Sequence, residues 1–277
     1  MNRIMMNNAM DSLHEALLEM GGLCERGIDE VLAAVVHPDA ELAERVIARD
    51  DQIDDMERRI ESQCLTILAR FSPVAIDLRS VTAAMGIISD LERIGDQCAD
   101  IAEISKHMLG AKQIHPMADF RLMADTARSM VHDALDAFID KDIEKARGVT
   151  LRDDIVDAAF DRVVLSLTNI MRENAEAVPQ AVDMLFVAKY LERIADHATN
   201  IGEWRGRRPL PPRPPSLPIP HDRLKKGIFS CFPRGIYWTY NEYRIREGGN
   251  RHGTDCGCGR RRGDLAADLP ALAGGGI

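Results

Sequence analysis

Acidic residues at four-residue steps are the feature of this 277-residue sequence that could do chemistry. Glu92, Asp96 and Asp100 follow one another at that spacing, and Glu103 comes three positions later. At about 100° per residue, the four side chains fall within an arc of roughly 80° on one helical face. Carboxylates are hard oxygen ligands for Mg²⁺, Mn²⁺, Ca²⁺ or iron, and a cation would offset their mutual repulsion. The pattern therefore predicts a cation-binding surface.

Three further rows at related positions of the sequence also contain an acidic residue followed four positions later by aspartate. The matching rows are Glu192, Asp196, Asn200 and Glu203; Asp50, Asp54, Glu57 and Glu61; and Asp153 and Asp157, which Phe160 and Val164 follow. One amide and two apolar residues thus replace acids in the later copies. The Leu and Ile seam of the helix around residue 92 is centred about 170° away from its acids. We therefore expect the acids to face away from the bundle core.

An acidic row on one helix is most often a solvated face, because like charges at this spacing cost only a few tenths of a kcal/mol. Two features favour a cation site instead: the acids hold register in both copies, and two neighbouring helices carry them. An interior di-iron centre would use Glu-x-x-His motifs, and no histidine here has glutamate three residues before it. His197 could add a nitrogen ligand, although a lone histidine is more often polar surface. We favour a surface cation site over a catalytic core.

The acidic motifs lie in an internal repeat. LERIGDQCADIAE at 91–103 returns as LERIADHATNIGE at 191–203, and residues 37–62 align with residues 140–165 at an offset of 103. A period of this length indicates a duplicated domain, since solenoid repeats run about 20–50 residues. The predicted organisation is a first repeat at 1–112, a second at 113–204 and a tail at 205–277.

Helix signals dominate both repeats. Pro38, Pro73, Pro116 and Pro179 stand where helices are expected to begin, which is where proline fits a helix. The predicted helices cover about 10–36, 39–70, 74–109, 117–139, 141–175 and 179–204. Their core seams are Ala84, Ile87, Leu91, Ile94, Cys98, Ile101 and Met108, and Met184, Val187, Leu191, Ile194, Ala198 and Ile201. The predicted fold is all-α, with two tandem three-helix bundles of six long helices.

Composition narrows the possible partners and compartment. Residues 1–204 carry a formal charge of −17, which argues against nucleic acid as the main partner. Apolar residues make up 45% of the chain, enough to fill two modest cores. Cys24, Cys64 and Cys98 have no disulfide-like spacing and are expected to be buried thiols. Without an 18-residue apolar run or a signal peptide, we expect a cytoplasmic protein that does not insert into membranes.

The tail at 205–277 has a different composition, with 14 of the 35 basic residues, 9 of the 13 prolines and 12 of the 20 glycines. Its first part, RGRRPLPPRPPSLPIP, favours polyproline II or disorder. Alternatives are a PxxP ligand, a basic membrane anchor or, at Cys256 and Cys258, half a metal site. Our main interpretation is a disordered tail, produced by a shift of the coding frame near Trp204. Resequencing the gene would test the shift.

Several motifs together make residues 10–204 resemble the PhoU family of bacterial phosphate uptake. They are LERIGD, LERIADHATNI, the ARDDQID segment, the Pro-x-x-x-Asp-Leu-Arg start at Pro73, and the two-fold repeat itself. The resemblance implies two three-helix bundles, often in a homodimer, with iron or magnesium clusters on the acidic motifs. The implied ligands are Asp50, Asp54, Glu92, Asp96 and Asp100 in one repeat, and Asp153, Asp157, Glu192, Asp196 and Asn200 in the other. Asn200 removes one charge, so the second site could bind more weakly.

The resemblance also implies a function by contact rather than catalysis. Such proteins restrain the phosphate-starvation response and limit uptake through the phosphate ABC transporter. The implied partners are the transporter ATPase and the PAS domain of a phosphate-sensing histidine kinase. Two alternatives stay open: a metal-dependent enzyme or metal-storage bundle using the same carboxylates, and a related module that serves another ion transporter.

Overall fold

The computed structural model describes residues 2–110 and 117–205, and the regular structure in them is helical. The helices are α1 (Asn2–Val36), α2 (Ala40–Phe71), α3 (Ala75–His107), α4 (Ala118–Asp140), α5 (Ile143–Glu173) and α6 (Val178–Arg205), with a 3₁₀ turn at Ala175–Ala177. The prediction of an all-α fold with six long helices is confirmed. Beyond Arg205 the predicted tail, with its hypotheses about Cys256, Cys258 and the coding frame, lies outside the described residues.

The first helix begins earlier than the sequence pattern predicted, at residue 2 instead of about residue 10. Met6 is buried, and Ala9 and Met10 pack against the core, so the added turns have an apolar side that the bundle covers. Arg3 forms an ion pair of 2.7 Å with Asp77 at the start of α3. Tertiary contacts therefore extend α1 past the point where its own periodicity is clear.

Helices α2 and α5, which carry two of the acidic rows, each begin at an aspartate, and the two aspartates occupy equivalent positions of the repeat. Asp39 Oδ1 accepts hydrogen bonds from two backbone N–H groups of the first turn of α2, at 2.9 and 3.3 Å. Asp142 Oδ1 does the same at the start of α5, at 2.9 and 3.0 Å. Such N-caps stabilise a helix by about 1 kcal/mol and fix where it begins. The two acidic rows therefore occupy the same position along their helices.

Each repeat is a bundle of three mutually contacting helices. In the first repeat, Gln63 Nε2 donates to Ser12 Oγ at 3.3 Å, which joins the end of α2 to the early part of α1. The ion pair between Arg49 and Glu30, at 2.6 Å, joins the opposite ends of the same helices. Helices α1 and α2 are therefore antiparallel.

The predicted core seams are confirmed, because every residue assigned to them in α3 and α6 is buried. These helices also bury a second face that the periodicity did not reveal, including Ile88 and Ile104 of α3 and Ala188 and Ala195 of α6. That face forms because α3 packs against α6 and α1 packs against α4. The apolar side chains of the two repeats consequently form one continuous core instead of two separate ones.

The three cysteines of the described residues, Cys24, Cys64 and Cys98, are buried free thiols, as predicted. Burial raises the pKa of the Cys64 thiol to about 11. None of the helices in 2–110 and 117–205 has a stretch long and apolar enough to cross a membrane.

Candidate cation-binding clusters

The acidic rows of α2 and α3 meet where these two helices pack together. Asp50 and Asp54 of α2 lie near Glu92 and Asp96 of α3, and all four residues are half-buried. We call these four residues the first acidic cluster. Their proximity is visible in their electrostatics, because the charges of Asp96, Asp54 and Glu92 all disfavour ionisation of Asp50. The structure thus brings together acids that are about 40 residues apart in sequence.

Asp50 is the member of the first acidic cluster most affected by its surroundings. Burial, followed by repulsion from Asp96 and Asp54, raises the pKa of its carboxyl to about 7. Its Oδ1 atom is shielded from solvent and accepts no hydrogen bond from the described residues. Gly95 permits this close approach to α3, since a Cβ atom there would lie 2.9 Å from Asp50 Oδ1. The first acidic cluster therefore contains a carboxylate oxygen that is shielded from solvent.

Arginines neutralise part of the first acidic cluster. Arg93 Nη1 lies 3.0 Å from Asp96 Oδ2, and Arg93 Nε lies 3.4 Å from Glu92 Oε2. Arg58 Nη1 is 3.9 Å from Asp54 Oδ2. Both arginine side chains are more than half exposed, and exposed pairs of this kind contribute only about 0–1 kcal/mol. A metal ion could displace them at little cost.

The second acidic cluster consists of the equivalent residues Asp153 and Asp157 of α5 and Glu192 and Asp196 of α6. Asp153 is buried, whereas Asp157 and Asp196 lie exposed at the rim. Partial burial and the charges of Asp153 and Glu192 raise the pKa of Asp157 to about 6. Partial burial and the charge of Glu192 also raise the pKa of Asp196. The duplicated sequence therefore produces two carboxylate clusters in one chain.

The prediction that the acids face away from the bundle core is only partly correct. They line the seam where α2 meets α3, and where α5 meets α6, and only 5% of Asp153 is exposed. The reason is geometric, because each helix of a three-helix bundle contacts two others and its buried surface is wider than one stripe. The seam withdraws Asp153 from water and shields the first acidic cluster in part, whereas Asp157 and Asp196 stay exposed.

Two of the sequence-predicted ligands stand apart from the four-residue clusters. Asp100 is half-buried one turn beyond Asp96 on α3. Asn200 Nδ2 donates to Asp90 Oδ1 of α3 at 3.3 Å, so this amide lies in the contact between the repeats. His197, the possible nitrogen ligand, also faces the same oxygen, with its Nδ1 atom 3.0 Å away.

Sequence reasoning missed the group to which Asn200 and His197 belong. Trp204 Nε1 donates to the other carboxylate oxygen of Asp90, at 3.1 Å. We call Asp90, His197, Asn200 and Trp204 the Asp90 clamp, because three side chains of α6 hold one carboxylate of α3. The sequence carries one sign of this group, which is that the two repeats differ at these positions. Tyr190 is the repeat equivalent of Asp90, and Ile104 is the repeat equivalent of Trp204.

The donor types of both clusters fit a hard cation. Each has four carboxylates on two helices, and the first includes the shielded Asp50 oxygen described above. Carboxylates of this kind suit Mg²⁺, Mn²⁺, Ca²⁺ and iron. In the part of the chain that the structure describes, no three His, Cys, Asp or Glu side chains converge on one metal position as they stand. Binding would therefore require the carboxylates to turn towards a shared ion.

Replacing Asp50 by asparagine should stabilise the metal-free protein at alkaline pH. A raised carboxyl pKa means that the folded state binds more protons than the unfolded chain between about pH 4 and 7, so stability falls as pH rises through that range. After allowance for solvent screening, we expect D50N to raise the free energy of unfolding at pH 8 by about 1 kcal/mol, with little change at pH 4. Urea unfolding in chelator-treated buffer measures this effect. The exposed neighbour variant D51N is the control, and an equal gain from it would refute the explanation.

Comparison with known protein families extends over both repeats. The family model described as "PhoU domain" matches residues 17–105 and 120–205. The second match ends where the described part of α6 ends. Both acidic clusters and the Asp90 clamp therefore lie within the matched regions.

Individual relatives and solved structures agree with this match. The phosphate-specific transport system accessory protein PhoU homolog of Clostridium acetobutylicum is 39% identical over 204 residues, which cover 73% of this chain and 93% of that protein. The crystal structure of PhoU from Pseudomonas aeruginosa has a TM-score of 0.69 at 34% identity and covers 72% of this chain and 96% of that one. For PhoU from Streptococcus pneumoniae the TM-score is 0.67 at 30% identity, with coverage of 72% and 94%.

Proposed function

Because the chain belongs to the PhoU family, we propose that it is an accessory protein of phosphate-specific transport that restrains the phosphate-starvation response when phosphate is plentiful. The observation that carries this proposal is the family match over both repeats, together with relatives named as accessory proteins of that transport system. These relatives are covered over 77–93% of their length, so the similarity includes most of each protein. In this role the protein limits phosphate uptake and represses the phosphate-starvation genes.

The proposed mode of action is contact rather than catalysis. The chain would act in the cytoplasm, as a homodimer, between the ATPase of the phosphate ABC transporter and the PAS domain of a phosphate-sensing histidine kinase. Long packed helices provide extended rigid surfaces, which suits an adaptor that must present two partners to each other. The acidic helical body favours partners with basic contact surfaces.

We also propose that the acidic clusters hold metal cations, with iron or magnesium as the leading candidates. Asp50, Asp54, Glu92 and Asp96 would hold the ion of the first repeat, and Asp153, Asp157, Glu192 and Asp196 that of the second. Burial and the charges of neighbouring acids raise the pKa of Asp50 and Asp157, and the positive charge of a bound ion would offset the second of these causes. Because each cluster joins two helices, an ion there would stiffen the surface that a partner contacts.

Deletion of the gene tests the proposed regulation. We expect the deletion strain to express alkaline phosphatase in phosphate-rich medium, and a plasmid copy of the full chain to restore repression. A D54N/D96N plasmid copy would restore it incompletely if the first acidic cluster contributes, whereas D51N, an exposed acid on the same helix, would restore it fully. Normal repression in the deletion strain would refute the regulatory role.

The proposed partners are tested by affinity capture from phosphate-replete cells with the tagged full-length chain as bait. Recovery of the phosphate transporter ATPase or of the sensor kinase is the expected result. Capture of the components of a different ion transporter, with neither of these two, would instead favour a related module serving that transporter.

A further inference from the structure

The outer face of α5 carries a second apolar stripe, which the bundle does not bury. Its members follow one another at steps of four and three residues, the spacing with which one helix packs along another. Leu151, Ile155 and Leu165 have 70%, 44% and 63% of their surface exposed, and Ala158 and Arg162 are exposed as well. We call these five residues the α5 stripe. At a rise of 1.5 Å per residue, its two leucines lie about 21 Å apart.

Helix α4 adds a further leucine beside the α5 stripe. Arg162 Nε donates to Asp119 Oδ1 at 2.9 Å, and Arg152 Nη1 donates to Ser129 Oγ at 3.0 Å. Leu122 lies between Asp119 and Ser129 along the same side of α4, so these two contacts place it next to the middle of α5. It is 40% exposed. The exposed apolar face therefore extends over two helices.

The first repeat has a polar surface at the same place. Glu19 stands at the position equivalent to Leu122 and pairs with Arg59, the equivalent of Arg162, at 3.9 Å. The equivalents of the α5 stripe in α2 are Ala48, Gln52, Asp55, Arg59 and Ser62. A three-helix bundle of this kind therefore folds without leucines on this face. Contiguous exposed apolar surface of this kind is typical of an interaction site.

The sequence of α5 matches a second copy of itself. A two-fold interface must be complementary to itself. If two copies of α5 run antiparallel with the two-fold axis at Ala158, residues equally far from that position stand opposite each other. Leu151 of one copy then meets Leu165 of the other. The small side chain of Ala158 leaves room for the helices to approach at the axis, and Ile155 lies one turn away from it.

Charges on α5 agree with the same arrangement. Asp154 stands opposite Arg162 of the second copy, and Glu144 stands opposite Arg172. Asp161, opposite an isoleucine, is the exception. Helix α5 contains six acidic and five basic residues, whereas residues 1–204 as a whole carry a formal charge of −17. Two acidic chains can therefore approach through α5 with little overall repulsion.

We propose that the α5 stripe is the interface of the homodimer, with α5 of a second copy packed antiparallel on it about Ala158. The inference rests on the homodimer of the proposed function and adds to it the face and the direction of pairing. The interface would cover the exposed leucines of α5, and Leu122 would lie at its edge. The polar equivalent surface on α2 of each copy would stay open to other partners.

Sedimentation velocity of the full-length chain over a concentration series tests the interface. Leu151 and Leu165 are exposed, so the L151E/L165E variant should fold normally while it removes four leucines from the dimer interface. We expect its dissociation constant to rise at least about a hundredfold. The A48E/S62E variant adds the same two charges at the equivalent positions of α2 and should remain a dimer. Circular dichroism and the Tm of each variant verify that the bundles are folded.

Disulfide trapping tests the direction of pairing. In a background in which serine replaces the three cysteines of the tail, the remaining thiols are buried. A158C should then cross-link two copies, because position 158 meets itself at the axis and a disulfide needs Cα atoms within about 7 Å. L151C alone should not cross-link, since the two copies of that position would be about 21 Å apart along the helices. L151C/L165C should cross-link, because each new cysteine stands opposite the other.

The outcomes separate this interface from the proposed regulation. A wild-type chain that stays monomeric, an L151E/L165E variant that dimerises as tightly as the wild type, or cross-linking of L151C alone would overturn the proposal. If a monomeric wild type captured the transporter ATPase and L151E/L165E did not, the face would belong to that partner instead of a second copy. Derepression of alkaline phosphatase in the deletion strain does not depend on how two copies meet, so the regulatory role keeps its own test.

Discussion

Replacing Asp90 by alanine is expected to lower the free energy of unfolding by about 3 kcal/mol. The substitution leaves three donors of α6 without their acceptor, namely His197, Asn200 and the indole N–H of Trp204. Hydrogen bonds to a charged acceptor contribute about 1.5–3 kcal/mol each, and buried donors without a partner add a desolvation penalty. Asp90 and His197 are mostly buried, with 15% and 18% of their side chains exposed, so water can replace only part of the loss.

Urea unfolding measures this loss, and the D90N variant makes the measurement specific. An asparagine keeps one acceptor oxygen and the shape of the side chain, so we expect about half of the alanine effect. The exposed D51A variant controls for removal of a negative charge and should change stability by less than about 0.5 kcal/mol. Emission of Trp204, read in a W238F background because the chain has two tryptophans, should report the release of α6. A D90A protein as stable as D51A would show that the clamp contributes nothing.

Replacing Gly86 by alanine is expected to destabilise the protein by about 2 kcal/mol, although alanine is the better helix former. A Cβ atom at Gly86 would lie 2.2 Å from Cζ2 and 2.4 Å from Cε2 of Trp204. The indole ring is rigid and its N–H donates to Asp90, so the clash with a Cβ atom at position 86 can be relieved only if the end of α6 moves. Overpacking of this kind costs about 1–3 kcal/mol, which exceeds the helix gain of about 0.5–1 kcal/mol.

Gly148 provides the matched control for this prediction. It lies within α5, and a Cβ atom there would meet nothing within 4 Å. The G148A variant should therefore raise the free energy of unfolding by about 0.5–1 kcal/mol. In the same urea experiment, we expect G86A to lower the free energy of unfolding and G148A to raise it. If both variants gained stability, the close packing of Trp204 on Gly86 would not be a feature of the protein in solution.

The sequence was sufficient to predict what depends on periodicity and repetition. The Leu and Ile seam of α3 is buried as its spacing indicated, and the prolines mark helix boundaries within a few residues. The offset between the repeats also identified the four cluster members in each half. These predictions succeed because they rest on local rules that each helix obeys separately.

What escaped prediction depends on how the repeats pack together. Ile104 and Ala195 carry no signal that distinguishes a second buried face from ordinary apolar variation. Asp90 looks like a surface acid in the sequence, because its three donors come from a helix more than a hundred residues away. The contact made by Asn200 escaped prediction for the same reason. Helical spacing assigned Asn200 to the acidic row, whereas its amide donates to Asp90 in the contact between the repeats.

The contact between the repeats pairs each helix with its own copy, α1 with α4 and α3 with α6. This is the arrangement of a two-fold symmetric dimer, in which one surface meets itself. Two separate identical chains would have to change both halves of such an interface together. Joined in one chain, the halves are free to diverge, so Asp90 faces α6 while Tyr190 holds the equivalent place. The two repeats thus pack as the halves of a two-fold arrangement that are similar but no longer identical.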